Sequence, residues 1–261
     1  LVAREGEIEP ELAEAIWAGR RRPRGHLLPQ SLLAHAGFKT AGARSYARVM
    51  RIAIHPELHR HGLGSLLLGK LEEHYRQIGI DYLGSAFSAS ADLLPFWRKA
   101  GLTVLRIGLQ RDAASGCHAA LLLKALKPEH EPELDQWQQR FVRQLPTLLA
   151  GELNALDPEL VWQSLQVQGS TVTAPELGEF ECDEIECFAH HHKPFELSQS
   201  SLQLWLARNL DVLASLTPDE RYLLIATIWQ YADWGRLAVR LQLAGKPAVI
   251  KSLRVLLARL L

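Results

Sequence analysis

Cysteine, methionine, long apolar runs and net charge are all scarce in this 261-residue sequence: it has three cysteines, one methionine and a formal charge of zero. Cys117, Cys182 and Cys187 show no zinc-ribbon spacing and are too few for a disulfide framework, so they read as reduced thiols of a cytoplasmic protein. No apolar stretch approaches the roughly 20 residues of a transmembrane helix, and the first residues lack the order of a signal peptide. The chain opens on Leu1 rather than Met and reads as a piece of a longer protein.

The zero net charge conceals an asymmetry. Lys plus Arg outnumber Asp plus Glu 18 to 11 over residues 1–128 and are outnumbered 11 to 18 over 129–261, as expected of two domains that meet different partners. A hydrophobic fraction of 48% lets each half bury its own core. The change of composition near Pro128 places a domain boundary at 128–132.

Up to that boundary the pattern is α/β. EPELAEAIWAG (9–19) has helical spacing and ends at Gly19. RRRPRGHLLPQ (20–30) is a basic, Pro-broken connector before a short helical piece at 31–38. YARVMRIAI (46–54) is rich in β-formers and reads as a strand stopped by His55-Pro56. In the next segment Leu63, Leu67, Leu71, His74 or Tyr75, and Ile78 form one face of a helix of about three to four turns closed by Gly79. IDYLGSAF (80–87), LTVLRIGLQ (102–110) and SGCHAALLLKAL (115–126) read as strands, with a short helix over 91–101, and Leu1 to Arg4 looks like the end of another strand. The second half reads as mostly helical, with Asp157, Ser200 or Ser201, and Thr217 as N-cap candidates and an irregular excursion over 168–187.

The stretch HPELHRHGLGSLLL (55–68) joins strand to helix through two glycines. A dinucleotide fingerprint fails because Leu67 stands where the third glycine belongs. A P-loop reading of Gly64 to Lys70 fails at Leu71, where Ser or Thr would hold magnesium. What survives is a strand, a loop of the form x-x-G-x-G, and a helix. Outward-pointing backbone N–H groups at a helix N-terminus form an anion site, glycine permits close approach, and Arg60 with His59 and His61 adds charge. Acyltransferases of the GNAT class hold the pyrophosphate of acetyl-CoA this way; the plain alternative is a glycine turn that binds nothing.

The blocks AGRRRPRGHLLPQSLLAH (18–35), RIAIHPELHRHGLGSLLL (51–68), DYLGSAF (81–87), FWRKAGL (96–102) and RDAASGCHAALLLKAL (111–126) together resemble the tRNA(Met) cytidine acetyltransferase family. The resemblance implies a GNAT-like α/β acetyltransferase domain over 1–128, N-terminally truncated, followed by a mostly helical tail domain over 129–261. The implied reaction is acetyl transfer from acetyl-CoA to N4 of the wobble cytidine of elongator tRNA(Met), in the cytoplasm. The family's N-terminal domain and ATP-hydrolysing helicase module, with its magnesium, are missing from this stretch, so little or no activity is expected of it alone. By the family's pattern acetyl-CoA is held by Ile52, Ala53 and Ile54, by the loop His59, Arg60, His61, Gly62, Leu63, Gly64 and Ser65, and by Asp92 and Lys99. His59 stands where relatives carry Gln or Arg, and Asp92 and Lys99 replace an expected Glu and Arg.

No catalytic base is assigned. His55 is best placed beside the cofactor strand but also reads as a surface residue before proline, while Cys117 and His118 read as core. Arg20, Arg21, Arg22 and Arg24 suit tRNA phosphates, a cofactor phosphate or a solvated helix end. The six basic residues after Asp233, without an acidic one, suit an RNA face or a packed terminal helix with exposed charges. His190, His191 and His192 read as a polar loop rather than metal ligands, and most of Trp137, Trp162, Trp205, Trp229 and Trp234 as core. Two other functions compete: a GNAT enzyme acting on a protein or small-molecule amine, and a tRNA-binding module with a decayed cofactor site.

Overall fold

The structure, a computed structural model, describes residues 1–166 and 176–261. They form two compact units, Leu1–Phe141 and Val142–Leu261.

The first unit is built on five strands: β1 (Val2–Gly6), β2 (Ser45–Val49), β3 (Tyr82–Ser88), β4 (Thr103–Arg111) and β5 (His118–Ala125). Their order is β1-β2-β3-β5-β4, with β2 and β3 parallel and every other pair antiparallel. Its helices are α1 (Pro10–Trp17), α2 (Leu27–Ser31, continued by a π turn over Leu32–Ala36), α3 (Leu63–Gln77), α4 (Leu94–Lys99) and the first half of α5 (Glu131–Ala150). A parallel pair needs a crossover, and α3 supplies it between β2 and β3.

Alternation along the strands separates two faces. Tyr46, Tyr82, Leu105, Leu121 and Leu123 point to one, where Leu28 and Leu32 of α2, Phe38, and Leu134 and Trp137 of α5 complete a buried core. Tyr46 stacks on Tyr82 at 5.6 Å and Phe38 on Trp137 at 5.0 Å. Leu134 and Trp137 explain why the packing division falls inside α5, beyond the compositional change at 128–132. Leu83, on the opposite face, lines a cavity with Leu68 and Glu72 of α3.

At the foot of the sheet a polar network fastens α5. Arg44 and Tyr82 both donate to the Glu133 carboxylate, at 2.9 and 2.8 Å. Asp81 accepts from Lys127 at 2.5 Å and from the N–H and hydroxyl of Ser45 at 2.9 and 3.0 Å. Partial desolvation pushes the Asp81 pKa up, but the Lys127 ammonium and the Ser45 donors outweigh it and hold the carboxyl at about 2.

The second unit holds the rest of α5 and α6 (Pro158–Leu165), α7 (Glu179–His190), α8 (Phe195–Arg208), α9 (Pro218–Ile228), α10 (Trp234–Arg240) and α11 (Lys246–Leu260). Phe188, Leu202, Leu224, Ile228, Trp229, Leu253 and Leu257 fill its interior. Three of its helix starts are capped by side chains. Asp157 caps α6, Thr217 and Glu220 form a capping box on α9, and Asp233 caps α10. At the other end of α7, the Arg254 guanidinium donates to the carbonyls of Phe188, His191 and Lys193.

Several expectations need correction. The strand expected over 46–54 ends at Val49, because β3 pairs only with residues 46–49. The helical piece placed at 31–38 begins already at Leu27, where the Glu5 carboxylate accepts the Leu28 N–H at 2.9 Å. The excursion placed at 168–187 is helical from Glu179, while 167–175 lie outside the described residues. That helix was masked by its acidic composition, but Glu184 is drawn inside by Lys193 at 2.6 Å and by the Ser201 hydroxyl. For the same reason Ser201 is interior to α8 rather than an N-cap, and the helix starts at Phe195 after Pro194. His190 ends α7 rather than lying in a loop.

Candidate active site

The parallel ladder of β2 and β3 ends at the pair Val49–Ser85, where the Ser85 hydroxyl donates to the Val49 carbonyl at 3.0 Å. β3 runs on through Ala86, Phe87 and Ser88 with only β5 beside it, while the chain after Val49 leaves the sheet. Met50 and Arg51 donate their N–H groups to Leu1. The N–H groups of Ile52, Ala53 and Ile54 donate to no group among the described residues. Hence the segment that follows β2 carries donors without an acceptor among the described residues beside a gap in the sheet, where an extended amide-bearing chain can be received.

The loop that follows turns sharply. A 3-10 turn over Pro56–Leu58 leads to His59, then to Arg60 at φ 63° and to Gly62 at φ 77°, the residue preceding α3. Positive φ costs little at glycine; at Arg60 it stores about 1 kcal/mol or more of strain, held by the surrounding turn. Leu66 makes the first intrahelical bond, to the Gly62 carbonyl at 2.9 Å, and no side chain caps the helix. The N–H groups of Arg60 through Ser65 therefore find no acceptor among the described residues. A run of unpaired donors at the positive end of a 15-residue helix fits a phosphate group.

The two glycines have different causes. A Cβ on Gly62 would meet nothing within 4 Å, so this residue is required for its backbone angle and leaves open space beside the loop. A Cβ on Gly64 would lie 3.0 Å from the Phe96 ring and 3.9 Å from Ile54, so Gly64 seats α3 against α4 and Ile54. Phe96 was not anticipated; the aromatic in FWRKAGL was the signal, and only contact with Gly64 gives it meaning.

His59 is turned to the chain beyond β2: its Nε2 bonds the Ile54 carbonyl at 2.8 Å, and the His59 carbonyl is bonded by His61 Nδ1 at 2.9 Å. The ring thus ties the loop to that segment. His55 is exposed, with Nδ1 3.9 Å from the Glu57 carboxylate. Ser65 and Lys99, far apart in sequence, line one cavity of about 280 Å³ with Leu68, Glu72 and Lys124. Glu72 accepts from Lys124 and Arg76 at 2.6 Å each; desolvation pushes its pKa up, and the two cations outweigh it and hold it low. Asp92 is exposed on the turn before α4 and is not among that cavity's lining residues.

The inner face of α3 differs from the expected one. Leu68 is 2% exposed, whereas Leu66 is 60%, Leu67 41% and Ile78 48% exposed. Gly64, Leu68, Glu72 and Tyr75 form the inward line, because the Phe96 ring crowds any side chain at 64 and Lys124 draws Glu72 inward. Cys117 sits half-buried before β5 rather than on it, and His118 is buried with Nδ1 on the Gly108 carbonyl at 2.8 Å. Arg20, Arg21, Arg22 and Arg24 are exposed on the connector after α1. Among the described residues no group of three or more His, Cys, Asp or Glu is arranged to hold a metal ion, and no helix is long and apolar enough to cross a membrane.

Comparison with known proteins agrees with this geometry. The model of the family described as GNAT acetyltransferase 2 matches residues 1–79. A tRNA(Met) cytidine acetyltransferase TmcA from Nitrosococcus halophilus is 35% identical over 257 residues, 97% of this chain and 34% of that protein. The TmcA of Vibrio cholerae is 36% identical over 262 residues, 100% of this chain and 35% of that protein. In Yersinia pestis the relative of the same name is 37% identical over 139 residues, 53% of this chain and 20% of its own length. The chain thus spans about a third of the length of the curated relatives that it matches end to end.

Proposed function

This chain belongs to the tRNA(Met) cytidine acetyltransferase family, and we propose that its first unit binds acetyl-CoA and, in the full-length protein, delivers the acetyl group to N4 of the wobble cytidine of elongator tRNA(Met). The observation that supports this reading is the juxtaposition of Ile52–Ile54, a segment beyond β2 whose N–H groups have no acceptor among the described residues, with the uncapped start of α3. The N–H groups of Arg60 to Ser65 receive the pyrophosphate, with Gly62 leaving room for it and the Arg60 side chain adding charge. Ile52, Ala53 and Ile54 offer N–H groups to the pantetheine amides and to the thioester carbonyl, and Ser65 and Lys99 bound the donor on the α3 side. Asp92 completes the proposed donor site at its α4 edge.

The exocyclic amine of cytidine attacks the thioester carbon. A tetrahedral oxyanion forms and is stabilised by the N–H donors beyond β2. The carbon–sulfur bond breaks, the thiolate of coenzyme A departs, and the nitrogen loses one proton. His55 is exposed and close to this segment, but no contact with an acceptor assigns it as the base. Arg20, Arg21, Arg22 and Arg24 are proposed to engage tRNA phosphates. The ATP and magnesium of the family's helicase module have their sites outside these residues.

Mass spectrometry of elongator tRNA(Met) incubated with acetyl-CoA and the full-length protein tests the reading. Acetylcytidine at the wobble position is the expected product. Acetyl-CoA turnover without tRNA, or transfer to a protein amine instead, would contradict it.

A further inference from the structure

On the sheet face opposite α3, a groove of about 350 Å³ is lined by Arg22, Gln30, Ser31, His35 and Arg48, together with apolar residues and glycine. No carboxylate lines it. Its frame is fixed on two sides: the Glu5 carboxylate joins Arg48 at 2.7 Å to the Leu28 N–H, and Gln30 Nε2 donates to the carbonyls of Pro23 and Gly25. Arg22 is therefore presented from a connector pinned at its base.

A second cation, not itself among the groove's lining residues, stands on the same face of the sheet. The register shift between Val104 and Arg106 sets Arg106 opposite Leu121, on the face that carries Leu28 and Leu32. Arg106 is half-buried within the run Val104–Leu109, whose other residues are apolar or glycine, and neither it nor Arg22 has an anionic partner among the described residues. Partial desolvation pushes the His35 pKa down, and the positive charges of Arg106 and Arg22 push it the same way. Arg22 lines the groove beside His35 and Arg106 stands on the same sheet face, with no anionic partner for either among the described residues.

The position relates the groove to the reaction. Arg48 is the last but one residue of β2, four residues and about 13 Å of extended chain before Ile52. The proposed donor loop lies with α3 on the other face, so donor and groove meet the gap beyond Val49 from opposite sides.

We propose that this groove seats a backbone phosphate of the acceptor RNA, next to the nucleotide presented to the thioester. The inference rests on the acetyltransferase reading given above. Arg22 and Arg106 supply the charge, His35 a hydrogen bond, and Gln30 and Arg48 the walls. An RNA phosphate is favoured over a coenzyme A phosphate because the unpaired donors for the latter lie across the sheet at the start of α3.

The test compares wild type, Arg22→Gln, Arg106→Gln and the double variant of the full-length protein. tRNA affinity is measured by fluorescence anisotropy across a salt series, acetyl-CoA affinity by calorimetry, and folding by thermal melting. Each single variant is expected to weaken tRNA binding by about 3- to 10-fold at low salt and to reduce the salt slope by about one phosphate. The tRNA KM rises accordingly, acetyl-CoA affinity holds, and Arg106→Lys restores most of the loss. An unchanged tRNA affinity and slope in a folded double variant overturns the groove alone, as does a loss confined to acetyl-CoA binding or displacement by polyglutamate rather than tRNA. A wild type that forms no acetylcytidine is the failure of the proposed function, and it takes the groove with it.

Discussion

The two units of this chain differ in where their backbone donors are answered. In the helical unit, Asp157, Thr217 and Asp233 cap helix starts and Arg254 closes the end of α7. In the sheet unit, the donors of Ile52 to Ile54 and of Arg60 to Ser65 find no acceptor among the described residues. A helix start left uncapped forgoes about 1 kcal/mol that a Ser, Thr or Asp would supply. At α3 the sheet unit forgoes that stabilisation where an anion can replace it, whereas α8 and α11 of the helical unit, also without a side-chain cap, begin beside Pro194 and Pro247.

This contrast can be broken from either side. The largest effect is expected in the helical unit, where Leu224→Ala empties a fully buried site of α9. It should cost about 2–5 kcal/mol by denaturant unfolding, while acetyl-CoA affinity of the folded fraction is unchanged. In the sheet unit the reverse is expected of Gly62→Glu, which brings a carboxylate to the phosphate position at a backbone angle that disfavours it. Calorimetry should show acetyl-CoA affinity reduced by about 100-fold or more, near 2.7 kcal/mol, with the second unit's unfolding unmoved.

A smaller effect in the sheet unit depends on pH. The Asp81 carboxyl titrates at about 2 in the fold against 3.8 in the unfolded chain. Its stabilisation is therefore fully present above pH 4 and lost as pH falls from about 4 towards 2. Screening of this partly exposed group limits the loss to about 1 kcal/mol. Asp81→Asn should remove that slope from the first unit's unfolding. Thr217→Ala, deleting one capping hydroxyl, should lower the stability of the helical unit by about 1 kcal/mol and leave cofactor binding alone.

The legible parts of this fold were those governed by local rules. Helical spacing and Gly79 delimited α3, and Pro158 and Pro218 following Asp157 and Thr217 marked two helix starts that the structure bears out. What stayed hidden depended on partners distant in sequence. The end of β2 at Val49 is set by Ser85, not by any breaker in VMRIAI. The inner face of α3 is set by Phe96 and Lys124, which displaced the expected line through Leu63, Leu67 and Ile78. An acidic stretch became α7 because Lys193 and Ser201 receive Glu184. At the candidate site the loop and its glycines were visible in the sequence. Gly64's packing role, His59's bond to Ile54 and the effect of Arg106 and Arg22 on His35 were not, although one arginine inside an otherwise apolar run was a signal to follow.

The central claim is that backbone donors of the sheet unit hold the acyl donor. Amide NMR of the isotope-labelled chain titrated with acetyl-CoA reads those donors one by one. The largest shifts should fall on the N–H groups of Ile52 to Ile54 and Arg60 to Ser65, with the signals of α6 to α11 unmoved. Binding that shifts amides elsewhere and leaves these two segments unchanged would contradict it.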